Sequence, residues 1–159
     1  MSPDSNDQEV KTPEESARFE EGQNGTIIDR KRGLLWLKQD TWQMTGKWMN
    51  WVQSRDYSEE LNQKKYGGYQ GWRLPTASEA KSLFDKNQQN KDHMGETVSH
   101  ASIFEPGFGF LCWTSDVRNK LQAVRFGFRK GLPIFDDIYR TSRGSTRVVR
   151  DIEKIDGLL

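Results

Sequence analysis

A chain of 159 residues suits one domain with a self-sufficient core, and its single cysteine, Cys112, excludes an intrachain disulfide or a multi-thiolate metal centre. Six Trp, eight Phe and four Tyr within a hydrophobic content of 33% point to a small core filled chiefly by rings, each of which removes roughly 150–250 Å² from water. The formal net charge of +1 conceals a division: residues 1–24 hold seven acids and two bases, whereas the remainder holds 16 acids and 22 bases.

Residues 1–24 include Pro3 and Pro13 and almost no apolar side chains, too little to offset the entropy of ordering. They read as an acidic disordered tail or linker, and 25–159 as a single domain that is mildly basic and suited to anionic partners. The basic excess does not require nucleic acid. The first residues lack the basic and apolar stretches of a signal peptide, and no run nears the roughly 18 apolar residues of a membrane span. A soluble chain without membrane insertion is expected: cytoplasmic, or in the periplasm or at the cell surface if a signal has been removed.

From Gly25 the pattern becomes β. Thr26-Ile27-Ile28, the turn chemistry of Asp29 to Gly33, and Leu34-Leu35-Trp36-Leu37 predict a hairpin. Trp48, Trp51, Val52 and Leu61, at near-helical spacing, predict a first amphipathic helix before the Gly67-Gly68 break. The extended residue before Pro75 leads into Thr76-Ala77-Ser78-Glu79, a capping box that opens a second helix with Ala77, Ala80, Leu83 and Phe84 inward. Residues 85–102 show no period and read as a long surface loop. Strands are expected at 110–114, 122–128, 132–135 and 146–150. A hairpin, two helices and then several strands make an α+β domain.

Six blocks in order, Gly33-Leu34-Leu35-Trp36, Thr41-Trp42, Gly67-Gly68-Tyr69, Gly71-Trp72-Arg73-Leu74-Pro75-Thr76, Trp113-Thr114-Ser115 and Arg147-Val148-Val149-Arg150, resemble the Lcl C-terminal domain family, named for a bacterial collagen-like adhesin. The resemblance runs from about Thr26 to Arg150. It implies a C-type-lectin-like fold, two helices packed on small twisted antiparallel sheets, and an adhesin-like or envelope role in recognising sugars or proteins. Trp72 to Thr76 is also similar to the formylglycine-generating sulfatase-modifying domains. Those oxidases need paired cysteines, and this chain has one. Calcium-dependent lectins of the same superfamily use Glu-Pro-Asn and Trp-Asn-Asp; Glu105-Pro106-Gly107 and Trp113-Thr114-Ser115 stand here instead, so no such calcium site is expected.

Arg73 reads as a structural fork on a carboxylate or carbonyls near the second helix. Most of the tryptophans read as core, with one left for binding. His93 and His100 match no zinc spacing and read as ordinary loop residues. Cys112 reads as a small buried hydrophobe, and Asp136-Asp137 as a turn. No catalytic set, metal or cofactor is expected. The most informative stretch is 118–150, with nine bases against Asp136 and Asp137. Strand alternation puts Val124, Phe126 and Phe128 on one side and Arg125 and Arg129 on the other, facing out. The resulting expectation is a non-enzymatic recognition module that binds an anionic polysaccharide or an acidic protein surface through Arg125, Arg129, Tyr139, Arg140 and Arg143. The alternative is a structural accessory subunit of a larger bacterial assembly, docked through the acidic tail or the 85–102 loop, and a homo-oligomer is compatible with either.

Overall fold

The structure, a computed structural model, describes residues 18–159, so residues 1–17 of the tail expected over 1–24 lie outside the described residues. The fold is α+β. Its first sheet has the order β1 (Phe19–Glu21), β2 (Thr26–Asp29), β3 (Leu34–Leu37) and β9 (Val149–Asp151), all antiparallel. Two helices follow β3: α1 (Thr41–Thr45) and α2 (Trp51–Gln63). The short α3 (Ala77–Lys81) comes next, then a small ribbon of β4 (Asn90–Lys91) and β5 (Thr97–Val98). A second antiparallel sheet, β6 (Leu111–Arg118), β7 (Gln122–Gly127) and β8 (Leu132–Asp137), precedes the return to β9.

Both strands of the expected hairpin are buried along their whole length, because each face meets a different core. Ile27, Leu34 and Trp36 pack on one side with Leu83, Phe104, Phe108 and Phe126, between the two large sheets. Ile28, Leu35 and Leu37 pack on the other with Leu61 of α2 and Trp72. At roughly 1.5–3 kcal/mol for each large apolar side chain fully removed from water, these two clusters carry most of the driving force for folding.

Each helix opens with a capping box: Asp40 with Gln43, Asn50 with Gln53, and Thr76 with Glu79. Only the third is visible as a Ser/Thr-x-x-Glu pattern. Arg73 fulfils its structural reading by giving two nitrogens to Glu79, at 2.8 and 3.0 Å, and bonding Asp151 on β9. It thereby ties the start of α3 to the first sheet.

Several expectations are corrected. Order begins ahead of Gly25: β1 pairs with β2, Phe19 is buried, and Arg18 grips the buried Asp29 side-on. An acid-rich stretch can be a strand when one ring and one arginine anchor it. Residues 85–102 are not a featureless surface loop, for they contain β4 and β5 and bury Asn90, Asp92, Val98 and His100. The Asn90 amide donates to the carbonyls of Ala101 and Phe104, which satisfies this folded-in backbone. Asp136 and Asp137 end β8 rather than forming a turn.

Strand β8 pairs with β7 alone among the described residues, leaving one edge open and Leu132, Ile134 and Phe135 exposed. Pro133 brings no amide donor to that strand, and the amide of Asp137 donates to the Asp136 carboxylate.

Candidate ligand-binding surface

Phe110, just ahead of β6, is where separate parts of the chain meet. The Arg129 guanidinium, from the β7–β8 turn, lies 3.9 Å from the centre of its ring, and that of Arg143, from the segment between β8 and β9, lies at 5.6 Å. The imidazole of His93 is parallel to Phe110, with ring centres 6.0 Å apart. His93 also meets Trp48 in a T-shaped arrangement, with ring centres 4.8 Å apart. Trp48 in turn stacks on Trp42 of α1 at 4.0 Å, with an interplanar angle of 7°. Four aromatic rings and two cations thus form one partly exposed surface.

Tight backbone packing sets this arrangement. The Asp40 carboxylate caps α1 through the Gln43 amide and also accepts the Gly109 amide at 2.8 Å, joining the helix that carries Trp42 to the residue before Phe110. Burial pushes the Asp40 carboxyl up, with the Arg147 charge and these amides opposing. A Cβ on Gly109 would lie 2.4 Å from Ser145 Oγ and 3.2 Å from Trp48. Gly144 is more confined, since a Cβ there would sit 1.7 Å from the Met49 carbonyl oxygen. Met49 donates its amide to the Gly144 carbonyl at 2.7 Å, fixing the residue after Trp48 against the residue after Arg143.

Arg129 is held in place. Its Nε donates to Asp92 at 3.0 Å, while about a third of the side chain stays exposed. Burial alone would raise the Asp92 carboxyl, but the Glu96 and Met94 amides and Arg129 outweigh it and hold it below the usual carboxylate range. Arg143 adopts a left-handed backbone, with φ of 52°.

Of the five residues expected to face a ligand, Arg129 and Arg143 are brought together. Arg125 is not on the surface at all: it is 1% exposed. Its guanidinium lies 4.5 Å over Trp113, donates to Asp136 at 3.1 Å, and bonds the carbonyls of Ser142 and Arg143 at 2.9 Å each. Alternation correctly opposed it to Phe126, but the presumed solvent side of β7 is covered by the segment leading to β9. Arg125 therefore supports the backbone that presents Arg143. Tyr139 is 63% exposed, and Arg140 pairs with Asp136 at 2.7 Å.

His100 is fully buried against Phe104, Phe108 and Phe128, not an ordinary loop residue. Burial pulls its pKa down to about 3, so it is neutral. Cys112 is buried as expected, and burial pushes its thiol up. Trp36, Trp72 and Trp113 are core. Among the described residues no group of three or more His, Cys, Asp or Glu side chains could hold a metal ion, and no helix is long and apolar enough to cross a membrane.

The family model described as the Lcl C-terminal domain matches residues 25–150, a span that includes every residue of the Phe110 surface. The chain belongs to the Lcl C-terminal domain family. No curated protein and no solved structure matches it. Within this Lcl C-terminal domain, β1 lies ahead of the matched span yet completes the first sheet. Sequence reading missed Trp42, Trp48, His93 and Phe110 as one set, since they come from three separated segments. The only local hint was the alternation of glycine and aromatic in Gly107-Phe108-Gly109-Phe110.

Proposed function

We propose that this Lcl C-terminal domain is a non-enzymatic recognition module, C-type-lectin-like in fold, that binds an anionic glycan or an acidic protein surface across Phe110, Arg129 and Arg143. The observation that carries this reading is the convergence of two guanidinium groups from separate segments on one ring, beside a stacked tryptophan pair. Arginine forks match sulfate and carboxylate oxygens in a planar, bidentate way, while an aromatic face accepts the apolar side of a sugar ring. Arg129 is already fixed by Asp92, so less side-chain freedom is lost when a ligand arrives.

The test is binding of dextran sulfate at low salt by the full chain and by Arg129→Gln/Arg143→Gln. Charge-assisted hydrogen bonds contribute roughly 1.5–3 kcal/mol each, so the double variant should bind at least about tenfold more weakly, with Arg140→Gln near wild type. Equal binding by the double variant would remove this surface from the account.

A second reading, a structural accessory subunit of a larger bacterial assembly, is favoured by the exposed apolar side chains of Leu132, Ile134 and Phe135 on β8. A stoichiometric partner that survives high salt during purification from the native source, and is lost in Ile134→Glu, would favour it over glycan recognition.

A further inference from the structure

We infer that His93 is a third cationic residue of the Phe110 surface, one that takes up a proton when an anionic ligand settles beside Arg129 and Arg143, so that binding tightens as the pH falls. This rests on the proposed recognition role and adds its regulation.

His93 lies parallel to Phe110 and in a T-shaped arrangement with Trp48, and its backbone amide donates to the Phe108 carbonyl at 2.7 Å. Its Nδ1 is shut from solvent and has no hydrogen-bond partner among the described residues. The ring therefore packs on the same Phe110 face system that the two guanidinium groups approach. The charged groups facing it are Asp92 from its own segment, Arg129 from the β7–β8 turn and Arg143 from the segment before β9.

Those surroundings make the imidazole a poor base in the ligand-free domain. Burial is the chief cause, and the Arg143 and Arg129 charges add to it; Asp92 opposes them but does not prevail. The Asp92 carboxylate is itself engaged by Arg129 and two backbone amides. An anion bound by the two arginines reverses the balance, because it offsets their field and attracts an imidazolium directly. The π face of Phe110 also favours a cation next to it.

Proton and ligand then assist one another by the same factor. The sign follows from the order of the two titrations, with the ligand-free value lower and the ligand-bound value higher. Between them, affinity rises by at most about tenfold for each pH unit lowered, and outside that window it is flat. Assignment is direct because the chain has only two histidines. His100, pulled down to about 3 by burial, stays neutral between pH 8 and 5.

The experiment uses dextran sulfate, whose sulfate esters stay ionised throughout, titrated calorimetrically at pH 8, 7, 6 and 5 and constant ionic strength. Wild type should bind several-fold more tightly at pH 5 than at pH 8, with net proton uptake measured from buffers of different ionisation enthalpy. His93→Gln should vary by less than about twofold. In parallel, the His93 ring protons of the wild-type protein, followed by NMR, should titrate at higher pH with dextran sulfate than without it, a readout that needs no variant. A pH-independent wild type, an equal slope in His93→Gln, or an unmoved His93 titration would each overturn the inference. If dextran sulfate binds and Arg129→Gln/Arg143→Gln weakens it, but no proton is taken up, only the role of His93 falls. If the arginine variant binds as wild type does, or nothing binds at any pH, the recognition surface fails and His93 with it.

Discussion

Arg125 reaches from β7 to Asp136 on β8, Nη1 to Oδ2 at 3.1 Å, while its Nη2 holds two carbonyls of the segment that carries Arg143. One buried cation therefore sets both the sheet edge and the position of a residue assigned to the ligand.

Arg125→Met should be costly for that reason. Removing one partner of a buried ion pair typically costs about 3–5 kcal/mol; because Asp136 keeps Arg140, the lower end is expected. Urea unfolding measures it. Arg140→Gln, at an exposed and solvent-screened pair, should leave the urea midpoint close to that of wild type.

Gly144→Ala should be among the most damaging small substitutions. The new methyl would lie 1.7 Å from the Met49 carbonyl oxygen, a backbone atom that cannot rotate away. A loss of at least about 3 kcal/mol is expected, together with weakened binding as Trp48 and Arg143 are forced apart. At Gly46 only the left-handed backbone is at stake, with open space around it, and alanine there should cost roughly 1–2 kcal/mol. Thermal denaturation of the two variants separates a clash from a conformational preference.

The ion pair of Glu79 with Arg73 should appear in acid unfolding. Burial raises the Glu79 carboxyl, but Arg73 and the Thr76 amide outweigh it, leaving the folded-state value below the ordinary one of 4.5. A carboxylate lowered in this way adds stability that is complete above the unfolded value and is lost as the pH falls through the folded one. Glu79→Gln should cost about 1–3 kcal/mol at pH 7 and show a shallower decline below pH 4.5.

His100 gives a separate acid signature. It is neutral in the fold down to about pH 3, whereas an unfolded histidine takes its proton near 6.5. Stability from this residue is complete above 6.5 and should fall by up to about 1.4 kcal/mol per pH unit between 6.5 and 3. His100→Leu should flatten that slope, as measured by urea midpoints at pH 7 and 4.5.

Local chemistry made much of the fold legible. The β2–β3 hairpin, the Thr76 capping box, the α+β order and the buried Cys112 all follow from short patterns. Three features did not. Alternation separates the two faces of β7 but cannot tell that a distant segment covers the face of Arg125. Strands of two residues, as at Asn90–Lys91 and Thr97–Val98, are too short to show a period. The Phe110 surface was only half legible: its arginines stood out as a charge excess, but Trp42, Trp48 and His93 join them through contacts between segments far apart in the chain.

Strand β8 combines exposed Leu132, Ile134 and Phe135 with an outer edge that is a poor template. Backbone pairing with another strand needs a regular series of amide donors, and the proline at 133 and the self-engaged Asp137 interrupt it. Neighbouring copies can touch this strip through side chains yet cannot zip into a continuous ribbon. The domain can thus present a greasy border at high local density while resisting fibrous growth.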